Sequence, residues 1–265
     1  MQFATFQRGP SGRAGFPLVA TAVHNGHELR PDVDALLLLD EKTRLREEDP
    51  YTDFFASAFD TSAIVHRSRF EVDLNRPREI AVYASPEDAW GMDLWTSPIT
   101  ANVQSESLRL YDQFYSDLGT LLDEVVEAHG GFVLYDLHSY NHRRGGPDAL
   151  AEPAAENPVI NLGTGSLPSR WSPVADAFTA TMSAQAMGAE LLDVRKNVKF
   201  RGRQVAAFVH ERYGDVACAL AIECKKVWMD EWTGTVDASA QTQLRTALLV
   251  TIDPVSEAWR ASGGH

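Results

Sequence analysis

Three runs of apolar residues each end in a side chain that can bind a metal ion or carry a proton. Residues 17–23 lead into His24, residues 133–137 into His138, and residues 216–222 into Glu223. Such runs predict buried strands, and in open α/β sheets the functional groups gather where the strands end. Two imidazoles and a carboxylate suit zinc, which takes three protein ligands and leaves a fourth position for water.

One histidine at a strand end is equally well explained as a structural residue hydrogen-bonded to backbone. A second strand with the same ending favours a metal site. Asp136 lies two residues before His138, on the same strand face, and is expected to orient the imidazole. Glu223 suits the role of a base that takes a proton from the attacking water, with an acid near His24 completing the metal ligands.

Three arginines, Arg69, Arg76 and Arg78, lie close together in a stretch that is otherwise not basic. The planar guanidinium group offers a fork of donors that matches a carboxylate. This spacing predicts a site for an acidic substrate, and the alternative is a set of surface ion pairs with the acidic excess of the chain.

Several common motifs are absent from the sequence. There is no HExxH and no CxxC, so the prediction of a metal site rests on the residues at the strand ends. A serine mechanism through Ser139 lacks the Gly-x-Ser-x-Gly turn. Gly163-Thr164-Gly165 is too short to be a phosphate-binding fingerprint.

Strands and helices alternate along the chain, which predicts one α/β domain over residues 1–265, with a mixed central sheet flanked by helices. The predicted strands cover residues 17–23, 63–66, 133–139, 159–165, 190–194, 205–209 and 216–222, and an alternating segment at 69–77 continues from the second of them. The predicted helices cover residues 31–40, 51–59, 105–129, 173–188 and 239–252.

Two connecting segments have roles that the pattern leaves open. The charge run at residues 41–49 is typical of solvated surface. Its last residue, Asp49, is either the N-cap of the next helix, with Pro50 at the first helical position, or a metal ligand. Residues 80–98 are irregular and predict a lid or the wall of a pocket.

The composition excludes some classes of protein. The chain of 265 residues has a formal net charge of −13, which argues against a nucleic-acid binder. No apolar run is long enough to cross a bilayer, and the N-terminus lacks the core of a signal peptide. Cys218 and Cys224 bracket a predicted strand and lie too far apart to bond each other. They indicate reduced thiols and a cytoplasmic protein.

Four segments resemble the N-formylglutamate amidohydrolase family in their order along the chain. They are His24-Asn25-Gly26, the run from Ser68 to Pro77, Asp136-Leu137-His138-Ser139, and Ile222-Glu223. The resemblance also extends to the aspartoacylase and zinc-carboxypeptidase group, and it implies a phosphorylase/hydrolase-like fold as in zinc carboxypeptidases. It implies a Zn²⁺-dependent hydrolase that cleaves the amide of an N-acyl, here N-formyl, acidic amino acid such as N-formyl-L-glutamate.

The resemblance also assigns roles to individual residues. His24 and His138 match the metal histidines, Glu223 the catalytic glutamate, and Asn75-Arg76 the pair that holds the α-carboxylate. Arg69 matches an arginine that polarises the scissile carbonyl or binds substrate, and Arg143 and Arg203 are further expected substrate-binding residues. Asp49 is the favoured third metal ligand. The other candidates for that position are His27, Glu28, Glu48 and Asp53.

The turn beside the metal departs from the commoner family form. The family more often has Pro-His-Ser-Gly where this chain has Val23-His24-Asn25-Gly26, so the substrate is left open within N-acyl amino acids. The alternatives are a carboxypeptidase, a deacylase of larger N-acyl amino acids, and a metal-free binding protein with the same fold. The expected partner is a small anionic molecule, with no nucleic acid and no membrane, and the oligomeric state is left open.

Overall fold

The computed structural model describes residues 2–9 and 16–264. The strands are β1 (Ala4–Gln7), β2 (Leu18–Ala22), β3 (Thr61–Val65), β4 (Phe132–Tyr140), β5 (Ile160–Gly163), β6 (Ala186–Met187), β7 (Glu190–Leu191), β8 (Val194–Lys196) and β9 (Ala217–Lys225). The helices are α1 (Pro31–Asp34), α2 (Glu41–Glu47), α3 (Thr52–Ala56), α4 (Ala101–His129), α5 (Ser172–Ser183), α6 (Gln204–Tyr213), α7 (Ala238–Val250) and α8 (Ile252–Ala261), with short 3₁₀ turns at Arg78–Ile80, Pro86–Ala89 and Ser169–Trp171.

Seven of the strands form one mixed sheet in the order β1-β3-β2-β4-β9-β5-β8, and β6 pairs with β7 in a separate hairpin. The four middle strands, β3, β2, β4 and β9, run parallel, whereas β1 and β5 lie antiparallel to their inner neighbours. In this register His138 of β4 lies opposite Glu223 of β9. The predicted fold class, an α/β protein with a mixed central sheet, is confirmed.

Helices cover both faces of the sheet, which explains why its central strands are almost continuously apolar. One core packs Tyr135 and Leu220 against α5, α7 and α8, and the other packs Leu134 and Ala219 against α4 and α6. Because strand side chains alternate between faces, Asp136, His138 and Glu223 all lie on the α4–α6 face. This face therefore carries the polar ends of the strands.

Helix α4 is close to its prediction, because its sequence carries both the apolar stripe and the end signals. Thr100 caps its start by accepting a hydrogen bond from the backbone N–H of Val103, and Gly130 ends it with φ 78°. That left-handed conformation is the one for which glycine has no steric penalty.

The predicted strand at residues 205–209 is wrong, because this segment lies in helix α6. The short apolar run fits either structure. Its apolar residues continue at helical spacing to Tyr213, and Val205, Ala206 and Val209 are buried against the sheet. The predicted helix at residues 31–40 is helical only over α1, and the predicted alternating segment at residues 69–77 forms turns. Strand β1 and helix α8 were not predicted from the sequence.

The charge run at residues 41–49 is also not solvated surface throughout. Residues 41–47 form α2, and its end is buried at Arg44, Glu47, Glu48 and Asp49. Cys218 and Cys224 are free and buried. Within the described residues, no helix combines the length and apolarity that a membrane span requires.

His210 gives the fold a predictable dependence on pH. The backbone N–H of Ala219 donates to its Nε2 at 2.9 Å, and Ser166 Oγ lies 2.9 Å from its Nδ1. Burial lowers the pKa of His210 to about 4. The unfolded chain, with an ordinary histidine pKa, binds this proton first as the pH falls. We therefore expect a contribution to stability of about 3 kcal/mol that is present at pH 7 and lost as the pH falls from 6.5 to 4.

The measurement is the urea unfolding free energy of wild type and His210→Gln at pH 7 and pH 5. Glutamine keeps an acceptor for the N–H of Ala219 and does not titrate. The wild-type protein should lose more stability than the variant on acidification, and equal losses would contradict the prediction.

Candidate active site

Two histidines and an aspartate from three separate segments meet at the carboxyl edge of the parallel strands. His24 follows β2, His138 lies in β4, and Asp49 lies between α2 and α3. Asp49 Oδ2 is 3.0 Å from His138 Nδ1 and 3.4 Å from His24 Nδ1. One potential ligand atom from each of the three residues lies within 4.8 Å of the others, and all three side chains are buried.

The second nitrogen of each imidazole lies beside a different carboxylate. His24 Nε2 lies 2.6 Å from Asp73 Oδ1, whereas His138 Nε2 lies 3.0 Å from Asp136 Oδ2 and 3.1 Å from Asn75 Nδ2. Metal-binding histidines commonly use their other nitrogen in this way, which fixes the ring and raises its basicity. Both Nδ1 atoms are thus turned toward Asp49, and this buried set of two nitrogens and an oxygen fits a divalent ion such as Zn²⁺.

The charges of the site favour an ionised Asp49. Burial opposes ionisation, but hydrogen bonds and attraction from His138 and His24 hold the pKa of the Asp49 carboxyl well below its usual range. Burial also opposes protonation of His138, yet the charge of Asp136 and the contact with Asp49 raise the pKa of that imidazole. The carboxylates of Asp49 and Asp136 therefore place negative charge around the histidines, and a metal cation bound there would be stabilised in the same way as a proton on the imidazole.

Backbone contacts place Asp49 beside the histidines. Its N–H donates to the carbonyl of His24 at 2.9 Å. The N-cap of α3 is Tyr51, in the left-handed conformation with φ 67°, so Asp49 is not the N-cap that the sequence allowed. The Asp49 side chain is consequently free to turn toward His24 and His138.

Lys226 is a buried residue of this site that the sequence analysis missed. Its Nζ donates to the carbonyl of Arg46 at 2.6 Å, the carbonyl of Glu48 at 2.7 Å and Asn141 Oδ1 at 2.9 Å. Burial lowers its pKa to about 8. Because it lies just beyond β9, Lys226 connects the end of that strand to the backbone immediately before Asp49. Its position three residues after Glu223 was the available signal.

Asp73 is the second site residue that was not predicted from the sequence, and it contacts both His24 and the two arginines, Arg69 and Arg76. Besides His24, it accepts hydrogen bonds from Arg69 Nη2 at 2.8 Å and from the Tyr83 hydroxyl, and Arg76 Nε lies 3.3 Å away. Burial opposes its ionisation, but Arg69 and His24 hold the pKa of Asp73 well below its usual range. Its signal was its place in the Asp-Leu-Asn-Arg run.

Glu223 faces the same cavity without a hydrogen-bond partner among the described residues. Burial raises its pKa to about 7, although the positive charge of His138 acts in the opposite direction. A carboxyl group with a pKa near neutrality is suited to taking up and releasing a proton.

The cavity around these groups has a volume of about 90 Å³. Eight of the nine residues that the resemblance assigned to the site line it, and they are His24, Asp49, Arg69, Asn75, Arg76, His138, Arg203 and Glu223. Arg78, the third arginine of the predicted cluster, lies outside the cavity and pairs with Asp112. Arg143 points elsewhere, to Asp230 and Glu231, and lines a neighbouring cavity, whereas Arg144 lines the central one. Trp90, from the predicted irregular segment, forms part of the wall.

The other acidic and histidine candidates for the third ligand have different surroundings. His27 Nδ1 pairs with Glu48, and Glu48 also accepts from Ser68 Oγ. Asp53 is exposed and accepts from the N–H of Phe54. Of the described acids, Asp49 is the one that groups with both His24 and His138.

Comparison with known proteins places this arrangement in a family. The model of the N-formylglutamate amidohydrolase family matches residues 16–228. The fold is similar to that of an N-formylglutamate amidohydrolase from Ralstonia eutropha, with TM-score 0.76, 18% identity, and coverage of 98% of this chain and 100% of the other. It is also similar to a protein from Agrobacterium tumefaciens, with TM-score 0.66, 17% identity, and coverage of 97% and 96%.

No curated protein matches the chain in a sequence comparison. At these identities the structural similarities establish the fold alone, whereas the family model covers most of the sequence and includes every segment that carried the resemblance. The chain belongs to the N-formylglutamate amidohydrolase family.

Proposed function

We propose that this protein hydrolyses the amide bond of an N-formyl acidic amino acid, such as N-formyl-L-glutamate, with a bound Zn²⁺ ion. The observation that carries the proposal is the convergence of His24, Asp49 and His138 within 4.8 Å of one another, in a cavity that Glu223 also lines. These three residues would hold the ion. When bound, zinc supplies the Lewis acidity that activates water and polarises a carbonyl group.

Glu223 acts as the general base and then as the general acid. Glu223 lies opposite His138 in the sheet register, and therefore beside the proposed metal ligands. Its carboxylate has no hydrogen-bond partner among the described residues. One carboxylate oxygen takes a proton from the attacking water and then delivers it to the nitrogen of the leaving amino acid. Water is consumed, the C–N bond breaks, and formate and the free amino acid are released.

The amide carbonyl and the α-carboxylate are held by the arginine side of the cavity. Asn75 and Arg76 bind the α-carboxylate, and Arg69 donates to the oxygen of the scissile carbonyl as negative charge develops there. Arg76 is oriented by Asp73 and by the carbonyl of Asp88, and its guanidinium lies 4.4 Å from the Tyr83 ring centre. These contacts fix the two arginines before substrate arrives, which lowers the entropic cost of binding.

The test is hydrolysis of N-formyl-L-glutamate by purified protein of measured metal content. We expect about one zinc ion per chain, loss of activity after chelation, and recovery on addition of zinc. Unchanged hydrolysis by the stripped protein would rule out the metal-dependent mechanism. A panel that adds N-acetyl-L-glutamate and C-terminal peptides separates a deformylase from a deacylase of larger groups and from a carboxypeptidase.

A further inference from the structure

Lys226 is a lysine in the wall of the cavity that is almost completely buried, with 1% of its surface exposed. Its Nζ donates to the carbonyls of Arg46 and Glu48 and to Asn141 Oδ1, so all three acceptors are neutral oxygens. Only a protonated lysine has three N–H donors, which makes Lys226 a buried cation. Burying a cation is costly when its partners carry no charge. This cost to the fold indicates a role at the site.

The peptide bond between Glu48 and Asp49 is held at both of its polar groups. Its C=O accepts from Lys226 Nζ at 2.7 Å, and its N–H donates to the carbonyl of His24 at 2.9 Å. In a trans peptide these two groups point in opposite directions. Lys226 follows β9 and His24 follows β2, so the peptide plane is fixed between the ends of two strands. The direction in which the Asp49 side chain leaves the backbone is thereby set.

The surroundings of Lys226 are themselves anchored to the sheet. Its backbone N–H donates at 3.0 Å to the carbonyl of Tyr140, the last residue of β4. Asn141 Nδ2 donates to the carbonyl of Arg46 at 2.8 Å, while Asn141 Oδ1 accepts from Lys226. Lys226 thus joins β4, the strand that carries His138, to the segment that leads into the proposed carboxylate ligand. The relative placement of these two ligands depends on this connection.

We infer that Lys226 is a positioning residue that holds Asp49 in the geometry needed to bind the metal ion. The inference rests on the proposed function, in which Asp49 is a metal ligand. Lys226 binds the backbone before Asp49, so it does not compete with the metal for the carboxylate oxygens.

The positive charge of Lys226 has the opposite effect on the metal, because like charges repel each other. Removing Lys226 therefore weakens zinc binding if positioning of Asp49 dominates, and strengthens zinc binding if the charge alone matters. The sign of the change in zinc affinity distinguishes the two effects.

The first measurement is zinc affinity, by competition with a chromophoric chelator. Lys226→Met keeps most of the side-chain length and removes all three donors. We expect it to weaken zinc binding about 10- to 100-fold, the range for contacts that orient a metal ligand. Lys225→Met is the matched control, because Lys225 donates to the carbonyl of Asn157 at 3.0 Å and lies outside the cavity wall. In an Asp49→Ala background, Lys226→Met should cause no further weakening, because the residue that it positions is absent.

The second measurement is hydrogen exchange of the Asp49 amide in the zinc-free protein. Lys226→Met should speed this exchange about 10-fold relative to that of Leu134, a buried residue of β4. Lys226→Gln keeps donors on a shorter side chain and should have a smaller effect on both exchange and zinc affinity. If Lys226→Met does not fold, Lys226→Gln is measured against the same criteria.

The outcomes separate this inference from the proposed function. If wild type binds zinc and the Lys226 variant binds it equally or more tightly, the inference is overturned and the proposed function stands. Equal acceleration of exchange at Asp49 and Leu134 also overturns it, since that result indicates a general loss of stability. The same holds if Lys226→Met weakens zinc binding as much in Asp49→Ala as in wild type. If wild type binds no zinc, the proposed metal-dependent function fails and this inference fails with it.

Discussion

Replacing Glu223 with glutamine is expected to lower kcat for N-formyl-L-glutamate by about 10²- to 10⁴-fold, which is the range for losing a positioned general base. Glutamine has nearly the same shape but cannot take the proton of the attacking water. Burial already disfavours the charged form of this carboxyl group, and raises its pKa to about 7, so a neutral amide should be tolerated by the fold. Zinc content and thermal stability should therefore stay near the wild-type values.

The measurement is steady-state hydrolysis together with zinc analysis of the same preparation. Glu211→Gln, an exposed substitution on α6, is the matched control and should keep the wild-type rate. If Glu223→Gln binds a full complement of zinc and keeps a nearly normal rate, Glu223 is not the general base. If the variant instead loses zinc, the result indicates that Glu223 is a metal ligand.

Local sequence pattern was sufficient for the strands that carry His24, His138 and Glu223. Each was predicted from a mainly apolar run that leads to a polar residue, and such runs are typical of strands buried on both faces of a parallel sheet. In the structure β4 and β9 continue past His138 and Glu223, to Tyr140 and Lys225. Parallel strands end at the same edge, so the meeting of these three residues follows from the order of the elements. The structure adds the register, in which His138 lies directly opposite Glu223.

The residues that complete the site depend on contacts between distant segments, which a single sequence does not encode locally. The charge run at 41–49 has the composition of solvated surface. It is nonetheless buried at its end, because Arg44 lies 3.7 Å from Glu48 and Lys226 binds the carbonyls of this segment. The role of Asp73 likewise depends on its meeting His24 from 49 positions away. Such pairs determine whether a charged residue lies inside or outside.

Helix α6 illustrates the remaining limit. Five consecutive residues, 205–209, are apolar or small, and a run of this length does not distinguish a strand from a buried helix. Arg203 was expected to bind substrate, but the error placed it before a strand, whereas it is the N-cap residue of a helix. Only in the folded chain does the first turn of α6 donate to Asn75 and bring Arg203 to the cavity.

Asp49→Asn is expected to weaken zinc binding by at least about 100-fold, since it removes the single charged ligand while outer contacts alone are worth 10- to 100-fold. Asparagine has nearly the same size, so the backbone bond between Asp49 N–H and the His24 carbonyl can remain. Activity should be lost at low zinc concentration and recover in part at high zinc concentration, because both imidazoles are still present.

Competition for zinc with a chromophoric chelator measures the change in affinity. Asp53→Asn is the matched control, because Asp53 is exposed on the same segment and accepts a hydrogen bond from the N–H of Phe54. It should bind zinc like wild type. If Asp49→Asn binds zinc with wild-type affinity, Asp49 is not a metal ligand. If Glu48→Gln then binds zinc more weakly than wild type, the third ligand is Glu48, whose carboxylate pairs with His27 in the structure.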